Sequence, residues 1–173
     1  MTKQQVVGVL RSVDATLAKT MQVLTVALLG IIVLTISTSV ITRWVIFYPL
    51  NFADALSKYL LMWLAFIGVG LALRTGEHIA VDMIRSKFKG KSEKWLLVFL
   101  NIFISVFLLI VIVYGFQFAW DGRTSKDPFV FNISMMIPYL SVPVGALYAL
   151  IQVNLITLIE LLDSGNEGEE DAT

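Results

Sequence analysis

YLLMWLAFIGVGLALRTGEHIAVDMIRSKFKGK (Tyr59–Lys91) is the stretch that decides the fold. Its first fifteen residues, Tyr59 to Leu73, carry no charge. From Arg74 onward it turns basic, with Arg74, Arg85, Lys87, Lys89 and Lys91 and the chain's only histidine, His78. An apolar run that stops abruptly at a basic segment is how a membrane helix meets its cytoplasmic boundary, because Lys and Arg are retained on that side.

The rest of the chain supports a membrane reading. It has 173 residues, 57% hydrophobic and 15% charged, where a soluble domain carries about 25% charged residues. Mean hydropathy is +0.81. Net charge is zero, which gives no electrostatic footprint for nucleic acid. Without cysteine, the chain can form no disulfide, thiol nucleophile, iron–sulfur cluster or cysteine-based zinc site. One histidine cannot build a His-pair metal site or a bis-His haem within one copy. No metal or cofactor is therefore expected, and an enzymatic or redox role is the weakest reading.

Spans follow from the gaps between charges, since a membrane helix needs about 20 mainly apolar residues. Lys19 and Arg43 enclose 23 uncharged residues, Lys94 and Asp121 enclose 26, and Asp127 and Glu160 enclose 32. The run after Lys58 is long enough if that lysine snorkels outward and the helix begins near Asp54. The chain thus reads as an all-α integral membrane protein with four transmembrane helices, at about 20–43, 54–73, 95–120 and 135–160. Residues 1–162 form one four-helix domain. Residues 163–173 form an acidic tail expected to be disordered. The first apolar core is longer than that of a signal peptide, and a polar stretch of about 20 residues precedes it, so it reads as an uncleaved anchor. Lys3, Arg11 and Lys19 together with Arg74, Arg85, Lys87, Lys89, Lys91 and Lys94 place both termini in the cytoplasm.

Chemistry-bearing residues are few, and none stands at the centre of span one, three or four. Asp54 and Lys58 lie four apart, acid first, the favoured order for a helical ion pair. They fix the outer end of span two or contact a partner. Asp54, Lys58, Leu61, Ala65, Gly68 and Ala72 recur at spacings of four and three and so share one helix face. Small residues let helices approach closely in lipid, either inside this subunit or against another chain. Tyr59, Trp63 and Phe66 on the opposite flank suit lipid or a bulkier neighbour. His78, Asp82, Arg85 and Lys89 share a second face opposite Ala80, Met83, Ile84 and Phe88. That pattern predicts an amphipathic interfacial helix near 77–90, separated from span two at Gly76 and attractive to anionic or zwitterionic lipid head groups. His78 is placed to hydrogen-bond Asp82. Trp44, Tyr48 and Trp120 are expected as anchors at the outer boundary and Trp95 at the inner one. Pro138 and Pro143 predict a kink or a late start in the last span.

These residues resemble a known family, the small membrane (DctQ-like) subunit of tripartite ATP-independent periplasmic (TRAP) transporters. The resemblance rests on Tyr59, Trp63 and Gly68, then Arg74, Gly76, His78, Ile79, Val81 and Asp82, and on Ile137, Pro138, Tyr139, Pro143 and Gly145. Where the family usually has a glutamate ahead of the Lys/Arg-Tyr step, this chain has Asp54 followed by Ala55. Among members it looks nearest to sialic-acid-type systems. The resemblance implies a non-catalytic subunit in a bacterial inner membrane, bracing a large multi-span subunit that moves an organic acid with sodium. It further implies a periplasmic substrate-binding protein as a transient partner. The alternative from a different class is a stand-alone homodimeric transporter using Asp54 and Lys58 as its ion switch.

Overall fold

A computed structural model describes the backbone of residues 3–47, 49–85 and 91–170, and the side chains of residues 5, 7–47, 49–74, 95 and 97–162. Four long helices dominate it. They are α1 (Lys3–Ile41), α2 (Asn51–Arg85), α3 (Lys91–Asp121) and α5 (Ser141–Glu170), with a one-turn helix α4 (Met136–Tyr139) leading into the last. Among the described residues, four segments are long and apolar enough to cross a membrane: Val7–Ile46, Asn51–Arg74, Leu97–Thr124 and Met136–Leu162.

Helix order in space differs from order in sequence. α5 packs along both α2 and α3, and α1 packs along α2 and, more lightly, α5, while α2 and α3 scarcely meet. The helices therefore form a row, α1–α2–α5–α3, bent enough for α1 to reach α5. A row leaves two broad apolar faces, which lipid tolerates because it is as apolar as the side chains.

Close approach is set by glycines. A Cβ on Gly145 of α5 would stand 2.5 Å from Phe66 Cβ and 2.7 Å from the Phe66 carbonyl oxygen, so the α2 and α5 backbones touch there. One on Gly70 would enter the Tyr148 ring. Gly115 of α3 receives Pro143, and Gly122 receives the Tyr139 ring, which also stacks on Phe118 at 4.6 Å. Between α3 and α5 an apolar cluster forms around Leu108, Ala146 and Ala149. Phe66, expected on a flank suited to lipid or a bulkier neighbour, instead meets the smallest residue of α5.

Hydroxyls in α1 are satisfied locally. Thr16, Thr20, Thr25, Thr35 and Thr38 each donate to the carbonyl four residues back, at 2.7–2.8 Å. Back-bonding of this kind hides polar groups from lipid without needing a neighbour. Thr42 begins a π-turn (Thr42–Ile46) that ends at Phe47, whose φ is 56°.

Three boundaries differ from the sequence reading. α1 begins near Lys3, so the polar approach to span one is itself helical. α2 runs past Gly76 to Arg85 without a break. A helical glycine costs about 1 kcal/mol relative to alanine and does not forbid the helix. The amphipathic pattern expected there falls on side chains outside the described residues, as do those of the expected disordered tail, where α5 itself reaches Glu170. The proline expectation holds. Pro143 has no N–H, the last span breaks at Leu140, and the Ser141 hydroxyl donates to the Pro138 carbonyl at 2.7 Å.

Gly145→Ala is expected to lower the stability of the detergent-solubilised subunit by about 1–3 kcal/mol, the usual cost of overpacking. Gly68→Ala, where a Cβ would meet nothing within 4 Å, should leave it unchanged or raise it. Thermal unfolding of the two variants side by side checks this.

Candidate functional site

Two features of α2 could carry function: the side that faces out and the residue that ends the span. The inward side uses Ala53, Ser57, Ile67 and Gly70, all buried. The face expected to hold small residues points the other way. Leu61, Ala65 and Ala72 are exposed, and Gly68 is open. Among the described residues, no helix packs against this face at Leu61, Ala65 and Gly68.

Asp54 and Lys58 do not form the expected ion pair. Asp54 accepts from the Arg43 guanidinium at 3.2 Å, both side chains being more than half exposed. The π-turn delivers Arg43 across the short α1–α2 connection. In solvent such a contact contributes at most about 1 kcal/mol. It fixes a helix end and offers no site inside the span.

Arg74, at the end of the span, turns to its own chain. Its Nε–H reaches both Asp14 oxygens at 3.2 and 3.3 Å, and a terminal nitrogen reaches Oδ2 at 2.8 Å. Gln152 of α5, with 0% exposure, donates its amide to Asp14 Oδ1. Three helices thus meet at one carboxylate. The fork geometry of arginine suits this, since two parallel N–H groups match the two carboxylate oxygens. Two residues along α5, Asn154 faces the other neighbour. It accepts from Asn101 at 3.2 Å and donates to Ser105 Oγ at 3.3 Å. Polar clasps between membrane helices contribute about 0.6–2 kcal/mol each.

Asp14 is the residue that sequence reasoning missed. It is the lone acid before Asp54, and it shares a buried face with Val7 and Ala18 at helical spacing. Extending the helical period back into the polar approach would have found it.

At the opposite end, Tyr59 donates its hydroxyl to Asp127 and lies 3.3 Å from the Met135 sulfur. In the sequence Asp127 figures only as a charge limiting the fourth span. It starts a two-stranded hairpin of β1 (Lys126–Asp127) and β2 (Ile133–Ser134), with Lys126 opposite Ser134 and Asp127 opposite Ile133. Trp44, Trp95 and Trp120 are exposed near helix ends, while Tyr48 and the side chains of His78, Asp82 and Arg85 lie outside the described residues. Among the described residues no three His, Cys, Asp or Glu side chains are grouped to hold a metal ion.

Arg74→Ala should destabilise the subunit by about 1–3 kcal/mol, because it leaves the buried Asp14 carboxylate without its charged partner. The double variant Asp14→Leu/Arg74→Leu is expected to recover part of that loss, read as a coupling energy in a double-mutant cycle.

Comparison with known proteins places this geometry in a family. The family described as tripartite ATP-independent periplasmic transporters, DctQ component, matches residues 32–163. The sialic acid TRAP transporter small permease protein SiaQ of Vibrio cholerae is 24% identical over 127 residues, 73% of each chain. The ectoine TRAP transporter small permease protein TeaB of Halomonas elongata is 23% identical over 158 residues, 90% of this chain and 77% of that one. The sialic acid TRAP transporter permease protein SiaT of Haemophilus influenzae is 24% identical over 102 residues, 59% of this chain but only 16% of its own length. The match to the DctQ component spans three of the four membrane helices and the end of the first, together with the Tyr59–Asp127 contact, Arg74 and Gln152 but not Asp14, and the close approach at Gly145, and this chain belongs to that family of TRAP transporter small permease subunits.

Proposed function

We propose that this subunit is the fixed, non-catalytic part of a sodium-coupled TRAP transporter, holding a large multi-span permease through the outward face of α2. The observation that carries the reading is the open small-residue face at Leu61, Ala65, Gly68 and Ala72. A membrane helix gains little by exposing glycine to lipid, whereas a partner helix approaches closely there. The SiaT match adds support. In that protein the segment similar to this chain is a small part of a much longer permease protein. The polar lock fits the same role, because a scaffold has to resist deformation when its partner moves.

The subunit lies in the bacterial inner membrane with both termini in the cytoplasm, as its Lys and Arg distribution favours. Substrate choice belongs to the other chains. The sialic acid and ectoine relatives are nearly equally similar to this one, and an organic acid of the sialic-acid type remains the working substrate class. A periplasmic substrate-binding protein would dock transiently at the end bearing the hairpin. A stand-alone homodimer has less support, since its candidate switch residue Asp54 is engaged by Arg43 at a helix end.

Deleting the subunit should abolish uptake, and supplying it in trans should restore it. Uptake that persists without it overturns the scaffold reading. Gly68→Leu is expected to cut recovery of the large subunit in a gentle-detergent pull-down by about tenfold, equivalent to about 1.4 kcal/mol, while the isolated subunit unfolds at its usual temperature.

A further inference from the structure

The α3–α4 connection, residues 121–135, is more ordered than a loop between two spans needs to be. After α3 the chain makes one 3-10 turn (Gly122–Thr124), then the hairpin, then enters α4. Its polar backbone is paired internally. Ser125 N–H donates to Gly122 O at 3.2 Å, Ile133 N–H to Val130 O at 2.9 Å, and Met135 N–H to Ser125 O at 2.9 Å. Phe129 N–H donates to Asp127 Oδ1 at 2.8 Å, and Met136 N–H to Ser134 Oγ at 3.3 Å. Irregular backbone at membrane depth requires pairing of this kind.

Its depth can be read from its contacts. Phe131 lies on Phe52, ring centroids 5.9 Å apart, in the first turn of α2. Asp127 is held by Tyr59, eight residues from the start of that helix, or about 12 Å along its axis. The hairpin therefore hangs beside the first turns of α2 and does not stand above them. The candidate spans begin at Asn51 and end at Thr124, so this is the level of the membrane boundary.

What it displays there is apolar, with two exposed cations, Arg123 and Lys126, and the exposed carboxylate of Asp121 beside them. Phe131 is 82% exposed and Phe129 59%. Phe131 and Asn132 have φ of 49° and 56°, a left-handed pair that bulky residues seldom adopt and that the turn imposes. Lys126 and Arg123 are exposed on the same element, and the Arg123 guanidinium stacks 4.4 Å above the Trp120 ring. Trp120 and Phe116, four residues apart, continue this surface down the exposed side of α3. We propose that the 121–135 hairpin is a phospholipid-binding element, with Phe129 and Phe131 seated at the glycerol and upper acyl level and Arg123 and Lys126 taking the head-group phosphate. Charge complementarity and continuity with the apolar side of α3 favour lipid over a protein occupant. The inference is independent of which helix meets the large subunit.

The chain has no cysteine, so single-site labelling is clean. Nitroxides at Phe131→Cys and, separately, Phe129→Cys would be measured in nanodiscs of phosphatidylethanolamine and phosphatidylglycerol. Phe107→Cys, mid-span on the exposed side of α3, is the lipid reference. Oxygen should be favoured over a water-soluble nickel chelate at both positions, approaching the Phe107→Cys ratio, with or without the large subunit. Adding Arg123→Gln and Lys126→Gln should lower that ratio severalfold as the tip floats outward. Chelate access in the parent background places the hairpin in water and overturns the proposal. Oxygen access lost only when the large subunit is present assigns the tip to a protein contact and overturns it equally. An unchanged ratio in the Gln variants removes the phosphate contact.

Discussion

The approach of α5 to α2 is the constraint on which the subunit depends. Apolar surface gains nothing by leaving lipid for another helix, so association rests on close packing and on polar contacts. Gly145 supplies the first by letting the Phe66 backbone come against α5. Gln152, just under two turns later, supplies the second by reaching Asp14. The same helix then holds α3 with Pro143 against Gly115 and Asn154 against Asn101 and Ser105. With α5 occupied on two sides, α2 is left to face outward along its small residues.

The residues by which the family is recognised acquire physical roles in this arrangement. Tyr59 holds the hairpin through Asp127, Arg74 grips Asp14, Tyr139 covers Gly122, Pro143 fits Gly115 and Gly145 fits Phe66. Among the motif's described side chains, these five stitch the subunit together internally. Gly68 is the exception, since it faces away from every described helix of the chain.

How much of this the sequence disclosed follows from the range of each interaction. The four spans were legible because charge limits are local, and so was the break at Pro138 and Pro143, where a missing N–H acts on its own helix. The small face of α2 was legible as a face, but its outward direction depends on where α5 packs, and no local pattern carries that. The ion pair at Asp54 was misassigned for the same reason. The rule that pairs it with Lys58 considers one helix, whereas Arg43 arrives from the preceding turn. Arg74 and Gln152 lie 60 and 138 positions from Asp14 and share no local signal with it. The start of α1 was placed late because polar residues before span one were read as an approach, though their buried face keeps the helical period.

The central claim is that α2 presents its small face to the large permease subunit while the exposed side of α3 meets lipid. Photocrosslinking amino acids placed one at a time in native membranes test it most directly, at Leu61, Ala65, Gly68 and Ala72 of α2 and at Phe103, Phe107 and Ile110 of α3. The account expects adducts to a single large membrane protein from the α2 positions and none from α3. Adducts from α3 with none from α2 would contradict it, and would turn the row of helices to face its partner with the opposite end.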